Sequence, residues 1–188
     1  MAAHTIPETA VMVTERCYLR PVEVTDAEVM TDASNDLDIA KYMSSRFPSP
    51  STLETTHAWI THCHSPDSGN HFGIFTLSGD YVGSISVEPP AGDIVYRGTR
   101  LIGYYCGRKF RGQGFMTEAL REVTRWAFAN FPELLRMEAR VFDPNEASKR
   151  VLLKAGFVKE GTRRGAVVKY GELLGEDIFG LTRADIEA

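Results

Sequence analysis

The stretch KFRGQGFMTEAL, residues 109–120, decides the fold. It places two glycines between a predicted strand and an amphipathic helix, so the backbone can turn sharply and approach a ligand without obstruction by a Cβ atom. The unpaired amides at the start of a helix, together with the positive end of its dipole, suit a phosphate group. Lys109 and Arg111 add mobile positive charge at this loop. By itself, the stretch is also compatible with a plain glycine turn that leads into a helix.

Two other phosphate-binding motifs do not match the loop. It lacks the GxGxxG spacing of a dinucleotide-binding fold and the Gly-Lys-Ser/Thr ending of a nucleoside triphosphate loop. The formal net charge of -4 provides no overall field for binding nucleic acid. We therefore expect a small anionic ligand that is held locally by the loop.

The segments nearest the loop predict strands before it and a helix after it. Residues 71–77, 81–88 and 99–106 are rich in β-branched and aromatic side chains and predict an antiparallel meander. The central amphipathic helix is predicted over residues 113–130, because apolar residues recur there at intervals of three and four. These apolar positions are Met116, Ala119, Leu120, Val123, Ala127 and Phe131.

The remaining segments complete one predicted domain over residues 14–188, after a loose leader at residues 1–13. Alternation between Arg16 and Pro21 predicts a half-buried first strand. One helical segment is predicted over 26–33 and 37–43, further helices at 53–63 and 144–154, and strands at 136–142, 157–164 and 176–181. About seven strands and about four helices in this order indicate an α+β domain with three layers, α/β/α.

Composition agrees with a soluble globular protein. The chain of 188 residues is 43% hydrophobic and 24% charged, which argues against disorder and a fibrous architecture. Cys17, Cys63 and Cys106 fit neither a disulfide framework nor a paired zinc signature, so we expect a reducing compartment. No signal peptide and no run of about 18 apolar residues is found. These features predict a cytoplasmic protein without a metal.

A second motif follows about thirty residues later in DPNEASKRVLLKAGF, residues 143–157. Asp143 is predicted to cap the helix, with Pro144 in its first position and Glu146 completing a capping box. Asn145 and Ser148 are three residues apart and lie on one face of the first turn, where they can offer an amide and a hydroxyl to one ligand. They are also compatible with routine polar residues at a helix start.

Together, the two motifs resemble the GNAT acetyltransferase superfamily, specifically its RimJ/RimL-like branch. The family pattern is an apolar strand residue, then Gln/Arg-x-x-Gly-x-Gly/Ala, and later Asn-x-x-Ser ahead of a helix that ends in Gly-Phe. The matching positions are Tyr105, Lys109, Gly112, Gly114, Asn145, Ser148, Gly156 and Phe157, of which Lys109 is a mild departure. The stretch TERCYLRPVEVTDAEVM, residues 14–30, resembles the opening strand and first helix of this branch.

The resemblance implies the GNAT fold, a mixed and mostly antiparallel sheet, with acetyl-CoA as the acetyl donor and no metal. Two neighbouring parallel strands, around residues 101–106 and 137–142, would splay apart and admit the pantetheine arm. Backbone groups near Tyr105 and Cys106 would pair with the pantetheine, and Asn145 and Ser148 would face its thiol end. The pyrophosphate end would be bound by the loop and the following turn, with Lys109, Arg111, Gly112, Gln113, Gly114, Met116 and Thr117 as the cofactor-binding residues.

Acetyl transfer requires a neutral amine, hence a base or a water route for its proton, and a donor for the leaving thiolate. Many relatives read Glu-Ile-Gly-Tyr before the loop, whereas this chain has Leu at the first of these positions, Leu101. We take Glu88 as the first substitute for the missing base and Glu138 as the second, although each is also compatible with a solvated or salt-bridged carboxylate. For the donor, Ser148 is the first choice and Tyr104 the second.

Other reactive residues are interpreted as structural. The family transfers the acetyl group directly within a ternary complex, so Cys106 is interpreted as a strand residue and not as a nucleophile. His57, His62, Cys63 and His64 fit no common zinc spacing and are interpreted as polar surface. Trp59 and Trp126 fall on apolar helical faces, and Arg163, Arg164 and Lys169 are interpreted as a solvated strand edge and loop.

The acceptor is left open by the sequence. Residues 35–50, 88–99 and 164–176 would shape its pocket and carry no recognisable motif. The expected partner is a small-molecule amine or a peptide N-terminus, without nucleic acid or membrane, and the protein is expected to be a monomer or homodimer. Two alternatives are a catalytically silent acyl-CoA-binding module, motivated by the missing glutamate, and a phosphate-binding structural domain, which leaves Asn145 and Ser148 unexplained.

Overall fold

A mixed β-sheet lies at the centre of the structure, a computed structural model that describes residues 5–90 and 92–187. Its strands are β1 (Met12–Val13), β2 (Cys17–Pro21), β3 (Asn70–Thr76), β4 (Tyr81–Glu88), β5 (Thr99–Cys106), β6 (Arg136–Phe142), β7 (Val158–Lys169) and β8 (Glu172–Thr182). The eight strands are ordered β1-β2-β3-β4-β5-β6-β8-β7, and neighbours are antiparallel except β5 and β6. Residues 1–4 of the predicted leader, residue 91 of the predicted pocket segment and residue 188 lie outside the described residues.

Helices cover both faces of the sheet. They are α1 (Ala27–Ser34), α2 (Leu37–Ala40), α3 (Leu53–Cys63), α4 (Phe115–Asn130), α5 (Glu146–Lys154) and α6 (Arg183–Glu187). One core joins α4 and α5 to the sheet and includes Leu120, Leu152 and Ile85. The other core joins α1 and α3 to the opposite face, for example Met30 and Ile60. This arrangement confirms the predicted α+β fold with three layers.

The central helix α4 follows its predicted pattern. Met116, Ala119, Leu120, Val123 and Ala127 are all buried on the face that packs on the sheet. Complete burial of a leucine or valine side chain contributes about 1.5–3 kcal/mol, so this face holds α4, and the loop before it, firmly against the strands. The meander β3 to β5, helix α3 and strand β6 also lie where the sequence predicts them.

The first strand is buried on both sides, which corrects the half-buried prediction. Cys17 and Leu19 lie in the core beneath α4, and Tyr18 lies in the core beneath α1 and α3. Because helices cover both faces of the sheet, residues on both sides of a strand are buried. The prediction took the arginines as a sign of an exposed face. Arg20 is largely covered instead, because its guanidinium pairs with Asp26 at 2.7 Å.

Strand β1 lies inside the segment that was predicted to be a loose leader. Met12 pairs with Leu19 and is 4% exposed, so this part of the chain belongs to the sheet and core. A strand of two residues is too short for a hydrophobic period to be recognised in the sequence.

The last two strands form a longer hairpin than predicted. Strands β7 and β8 have 12 and 11 residues and are joined at Tyr170 and Gly171, whose φ angles are +51° and +83°. Two central residues with positive φ are typical of a tight hairpin turn. The sequence prediction missed the outer half because Val168 and Leu173 are 73% and 70% exposed, so apolar residues there do not mark a buried face.

In residues 5–90 and 92–187, no helix combines the length and apolar character needed to span a membrane.

Candidate active site

The sheet opens between its two parallel strands. Pairing of β5 with β6 runs from Thr99 and Arg136 to Leu101 and Glu138 and then stops. Beyond that point β5 continues against β4, and β6 continues against β8. The gap between them, here called the fork, confirms that these strands splay apart. A cavity of about 760 Å³ occupies the fork and is lined by residues from both helical layers. Its volume is within the size range of ligand pockets.

The edge of β5 that faces the fork has backbone groups without a strand partner. The amide of Gly107 donates to the carbonyl of Val82, and backbone groups in antiparallel pairs alternate in direction. Those of Tyr105 therefore point toward β4, and those of Tyr104 and Cys106 point into the fork. The carbonyl of Cys106 accepts a hydrogen bond from Arg111 Nε at 3.3 Å. Of the two residues predicted to offer backbone groups, Cys106 has the suitable direction, and Tyr104 replaces Tyr105.

The glycine loop presents free amides at the mouth of the fork. Gly112 and Gly114 have φ angles of +74° and +87°, in the region that favours glycine. The amide of Glu118 makes the first bond of α4, to the Gly114 carbonyl at 3.1 Å. The amides of the three residues between them therefore have no partner within the helix. Two of these residues, Met116 and Thr117, line the cavity with Gly112 and Gly114, so this part of the predicted set is brought together.

Arg111 is held by an ion pair, which corrects the prediction that it supplies mobile charge, whereas the Lys109 side chain is exposed. Arg111 pairs with Asp36 at 2.8 Å, and Arg108 pairs with the same carboxylate at 3.0 Å. Lys109 points away from the cavity to Asp80 at 3.4 Å. Because Asp36 precedes α2, these ion pairs tie the opposite helical layer to the loop. No local pattern predicts these ion pairs, since Asp36 and Arg108 are 72 residues apart.

Two further contacts hold the loop from its other side. The Gln113 side chain turns back and donates to the Lys109 carbonyl at 2.7 Å, so Gln113 does not reach the cavity. Arg16 donates to the Gln113 carbonyl at 2.9 Å and to Glu118 at 2.7 Å. The loop is therefore preorganised by side chains, and its amides provide the open ligand-binding groups.

The Asp36 clamp is expected to make stability depend on pH. The hydrogen bond from Arg108 is the main cause that lowers the pKa of the Asp36 carboxyl from 3.8 to about 2. A carboxyl whose pKa is lower in the folded than in the unfolded protein stabilises the fold at pH values above its unfolded pKa. This contribution to stability is lost as the pH falls through the folded pKa. Asp36→Asn should cost about 1 kcal/mol at neutral pH, after allowance for solvent around the two arginines, and the cost should vanish between about pH 5 and pH 2.

Urea unfolding of wild type and variant at several pH values measures this difference. Asp80→Asn is the matched control, because its ion pair with Lys109 is exposed and should contribute little. A cost for Asp36→Asn that is unchanged from neutral to acid pH would contradict the clamp.

Helix α5 begins two residues after its predicted start. Asn145, and not Asp143, is the N-cap, and its side-chain oxygen accepts from the Ser148 amide at 3.2 Å. The helix starts at Glu146, so Pro144 lies before it. Asn145 is therefore committed to the helix end, where its capping hydrogen bond fixes the position of Ser148.

Tyr104 and Ser148 meet at the fork. Their hydroxyl oxygens are 2.8 Å apart, and the Tyr104 hydroxyl is also 3.2 Å from the Ser148 carbonyl. Burial raises the pKa of the Tyr104 hydroxyl, and its hydrogen bond with Ser148 acts in the opposite direction. The two predicted donors thus form one hydrogen-bonded pair in which the phenol keeps its proton at neutral pH.

Two carboxylates flank Leu101 on the face of the sheet that α1 and α3 cover, here called the α1/α3 face. Leu101 is opposite Glu88 on β4 and opposite Glu138 on β6. Glu88 accepts from Ser86 Oγ at 2.8 Å and pairs with Arg46 at 3.1 Å. Both carboxylates line the cavity, so the structure brings the two predicted substitutes for the base to the same level of the fork.

Glu138 is more heavily committed than Glu88. Its carboxylate pairs with Arg136 at 3.2 Å and with Arg140 at 3.0 Å, one on each oxygen. Glu88 has one arginine partner, and that partner is 62% exposed on the loop between α2 and α3. Glu88 is therefore the carboxylate that can exchange its partner for a cationic ligand more easily.

The cysteine thiols resist ionisation. Burial raises the pKa of Cys106 to about 11 and that of Cys63 to about 12. A thiol of this kind is a poor nucleophile at neutral pH. The raised pKa of the Cys106 thiol agrees with the interpretation of Cys106 as a strand residue and not as a nucleophile.

Several residues on the α1/α3 face contribute to the cavity without having been predicted. His71, Arg46 and Ser86 line it, and Trp59 lines it as a half-buried side chain. Trp126, in contrast, packs in the core against Phe72. No sequence motif marks the cavity residues, because they come from separate elements that meet only in the folded chain. Over residues 5–90 and 92–187, no three His, Cys, Asp or Glu side chains are grouped to hold a metal ion.

Comparisons with known proteins agree with this geometry. The family model for the acetyltransferase (GNAT) domain matches residues 16–158. The chain is 36% identical over 179 residues to the probable N-acetyltransferase YjcK of Bacillus subtilis, covering 90% of this chain and 96% of the relative. Two solved structures share the fold. One is RimJ of Mycobacterium smegmatis in complex with CoA-disulfide, with a TM-score of 0.79 and 19% identity over 92% of this chain and 84% of that chain. The other is the microcin C7 self immunity acetyltransferase MccE in complex with acetyl-CoA and AMP, with a TM-score of 0.77 and 18% identity over 97% of this chain and 99% of that chain.

Proposed function

Because the chain belongs to the acetyltransferase (GNAT) family and its relatives are N-acetyltransferases, we propose that it transfers the acetyl group of acetyl-CoA to a primary amine of a small molecule or a protein N-terminus. The observation that carries this proposal is the fork, whose parallel pairing stops at Leu101 and Glu138. It opens a passage between the glycine loop on one side and a carboxylate-lined surface on the other. Attack within a ternary complex needs this kind of passage, in which two ligands meet.

The chain offers suitable sites for the pyrophosphate and the pantetheine arm of acetyl-CoA. The free amides after Gly114 and the open space at Gly112, where an added Cβ would meet nothing within 4 Å, fit a pyrophosphate. The unpaired edge at Tyr104 and Cys106 fits the amides of the pantetheine arm. When bound, acetyl-CoA supplies an activated thioester. These residues would hold and align it, and Asn145 would act through Ser148.

Glu88 would attract the protonated acceptor amine and accept its proton. Its carboxylate lies at the level where the fork opens, and Ser86 fixes one of its oxygens. The Arg46 partner can move aside because it is mostly exposed. Tyr104 and Ser148, on the other face of β5, would donate a hydrogen bond to the sulfur that leaves. The base and the donor thereby lie on opposite faces of the sheet, so the donor does not give its proton to the base.

Removal of the donor pair should reduce turnover moderately. A thiol ionises near pH 8.5, so a thiolate can leave with only partial help from an acid, and we expect Tyr104→Phe or Ser148→Ala to lower kcat by about 10-fold. The double variant should lose little more than either single variant, because the two hydroxyls form one unit. Steady-state kinetics with saturating acetyl-CoA measures both effects. Fully multiplicative losses would show that the hydroxyls act separately.

An acetylation screen tests the proposed function. The purified protein is mixed with acetyl-CoA and with panels of small amines and peptides, and mass spectrometry is combined with detection of free thiol. We expect an acetylated amine and one free thiol per acetyl group. CoA binding without product in any panel would favour a silent acyl-CoA-binding module.

A further inference from the structure

His71 is a buried histidine on the α1/α3 face of the cavity. It lies on β3, is 8% exposed, and packs edge to face against Trp59 of α3 at 5.3 Å between ring centroids. Its Nε2 atom is 2.9 Å from the Ser68 carbonyl oxygen. The ring also contributes to the lining of the cavity at the fork.

The hydrogen bond to Ser68 fixes the tautomer of His71. A carbonyl only accepts, so Nε2 carries the hydrogen and Nδ1 carries a lone pair. Within the described part of the chain, Nδ1 has no protein partner. It is also not among the fully enclosed polar atoms that lack a partner, so Nδ1 keeps some accessible surface on a ring that lines the cavity.

The sheet register gives the direction from the fork to His71. His71 is opposite Ser86, and Ser86 is opposite Gly103 on β5 beside the fork. All three lie on the α1/α3 face, because their neighbours Phe72, Ile85 and Ile102 point into the core beneath α4. Adjacent strands are about 4.8 Å apart, so His71 stands roughly 10 Å across the sheet from the fork.

The groups around His71 favour its neutral form. Burial is the main cause that lowers the pKa of the imidazole, and His62 and Arg46 act in the same direction. The Ser68 carbonyl and the Glu88 carboxylate act in the opposite direction. Trp59, the remaining ring neighbour, does not titrate. At neutral pH the accessible nitrogen can therefore accept a hydrogen bond but cannot donate one.

We propose that His71 selects acceptor amines that carry a hydroxyl or second amino group roughly 5–10 Å beyond the reacting nitrogen. His71 stands about two strand spacings from the fork, and it lies one strand spacing across and two residues along β4 from Glu88, a diagonal of about 8 Å. The reacting amine would lie at Glu88, the chain of the acceptor over Ser86, and the remote donor at His71 Nδ1. This inference rests on the proposed function. An acceptor with an apolar end would cover the nitrogen without satisfying it, which costs about 1–3 kcal/mol.

Matched acceptors test this selection. Aminobutanol and aminohexanol, with the hydroxyl at the opposite end of the chain, are compared with butylamine and hexylamine by kcat/KM at saturating acetyl-CoA. We expect wild type to favour the better-fitting amino alcohol over its alkylamine by about 5- to 150-fold, which is the penalty for an unsatisfied buried acceptor converted to a ratio. The ratio within each pair removes the effect of amine ionisation, which both members share.

Two variants separate recognition from a structural role. His71→Phe removes the lone pair and should bring the ratio to about one. His71→Asn loses the Ser68 contact of Nε2 but can place its side-chain oxygen near the Nδ1 position, so it should restore part of the preference. A wild-type ratio near one, or a preference that persists in His71→Phe, would overturn the proposal.

A second measurement does not depend on turnover. In protein saturated with CoA, the ¹⁵N resonance of His71 Nδ1 should shift on addition of the amino alcohol and not of the alkylamine. Absence of this difference overturns the selection by His71 even if no acceptor is acetylated. Absence of acetylation with every amine, in contrast, overturns the proposed function, so the two failures are distinguishable.

Discussion

Replacing Gly112 with glutamate is expected to weaken CoA binding by about 100-fold while the protein remains folded. The added side chain enters the open space above the loop, and its charge faces the pyrophosphate. Repulsion between unit charges at about 4 Å amounts to about 1 kcal/mol in water and about 4 kcal/mol near a protein surface, and about 3 kcal/mol corresponds to roughly 100-fold in affinity. Calorimetric titration with CoA measures the change.

Gly171→Glu is the matched control for this experiment. Gly171 has a φ of +83° and, like Gly112, would place a Cβ with nothing within 4 Å, but it lies in the turn between β7 and β8. The two variants therefore share the backbone strain and the charge change and differ in position. Equal CoA affinity of the two variants would contradict the placement of the pyrophosphate at the loop.

Glu88→Gln is expected to lower kcat/KM for the acceptor by about 100-fold or more, since a positioned general base contributes about 10²–10⁴-fold. The substitution keeps the size of the side chain and removes both the negative charge and the basic oxygen. Affinity for CoA should stay near the wild-type value, because Glu88 lies on the α1/α3 face and away from the loop. Steady-state kinetics with the acceptor varied, together with CoA titration, measures both quantities.

Glu138→Gln provides the comparison, because Glu138 flanks Leu101 from the opposite strand. Its two arginine partners already engage both oxygens, so we expect a loss of less than about 10-fold. The reverse order, with the larger loss in Glu138→Gln, would assign the base to β6. Small losses in both variants would point to a water route for the proton.

The layers of the fold could be predicted from local pattern. The three- and four-residue periodicity of α4 and the β-branched runs of β3 to β5 reflect burial on one face of each element, which a sequence displays directly. The outer halves of β7 and β8 could not be predicted, since exposed Val168 and Leu173 give no such contrast. The short β1 likewise carries too few residues for a period.

The glycine loop of the site could be predicted because its backbone conformation requires a particular residue. Gly112 and Gly114 are visible in the sequence because their positive φ angles require glycine. The Asp36 clamp and the His71 position depend on contacts between distant elements, and neither residue type is unusual in its local sequence. The capping prediction at Asp143 failed because both Asp143 and Asn145, on either side of Pro144, can cap a helix. The contact of Asn145 with Ser148 decides between them.

Every proposed role depends on a cofactor held in the fork, so the decisive measurement is calorimetric titration of the wild-type protein with acetyl-CoA. We expect saturable binding at one site per chain, with affinity strongly reduced in Gly112→Glu and retained in Gly171→Glu. Absence of binding to the folded wild-type protein would contradict it.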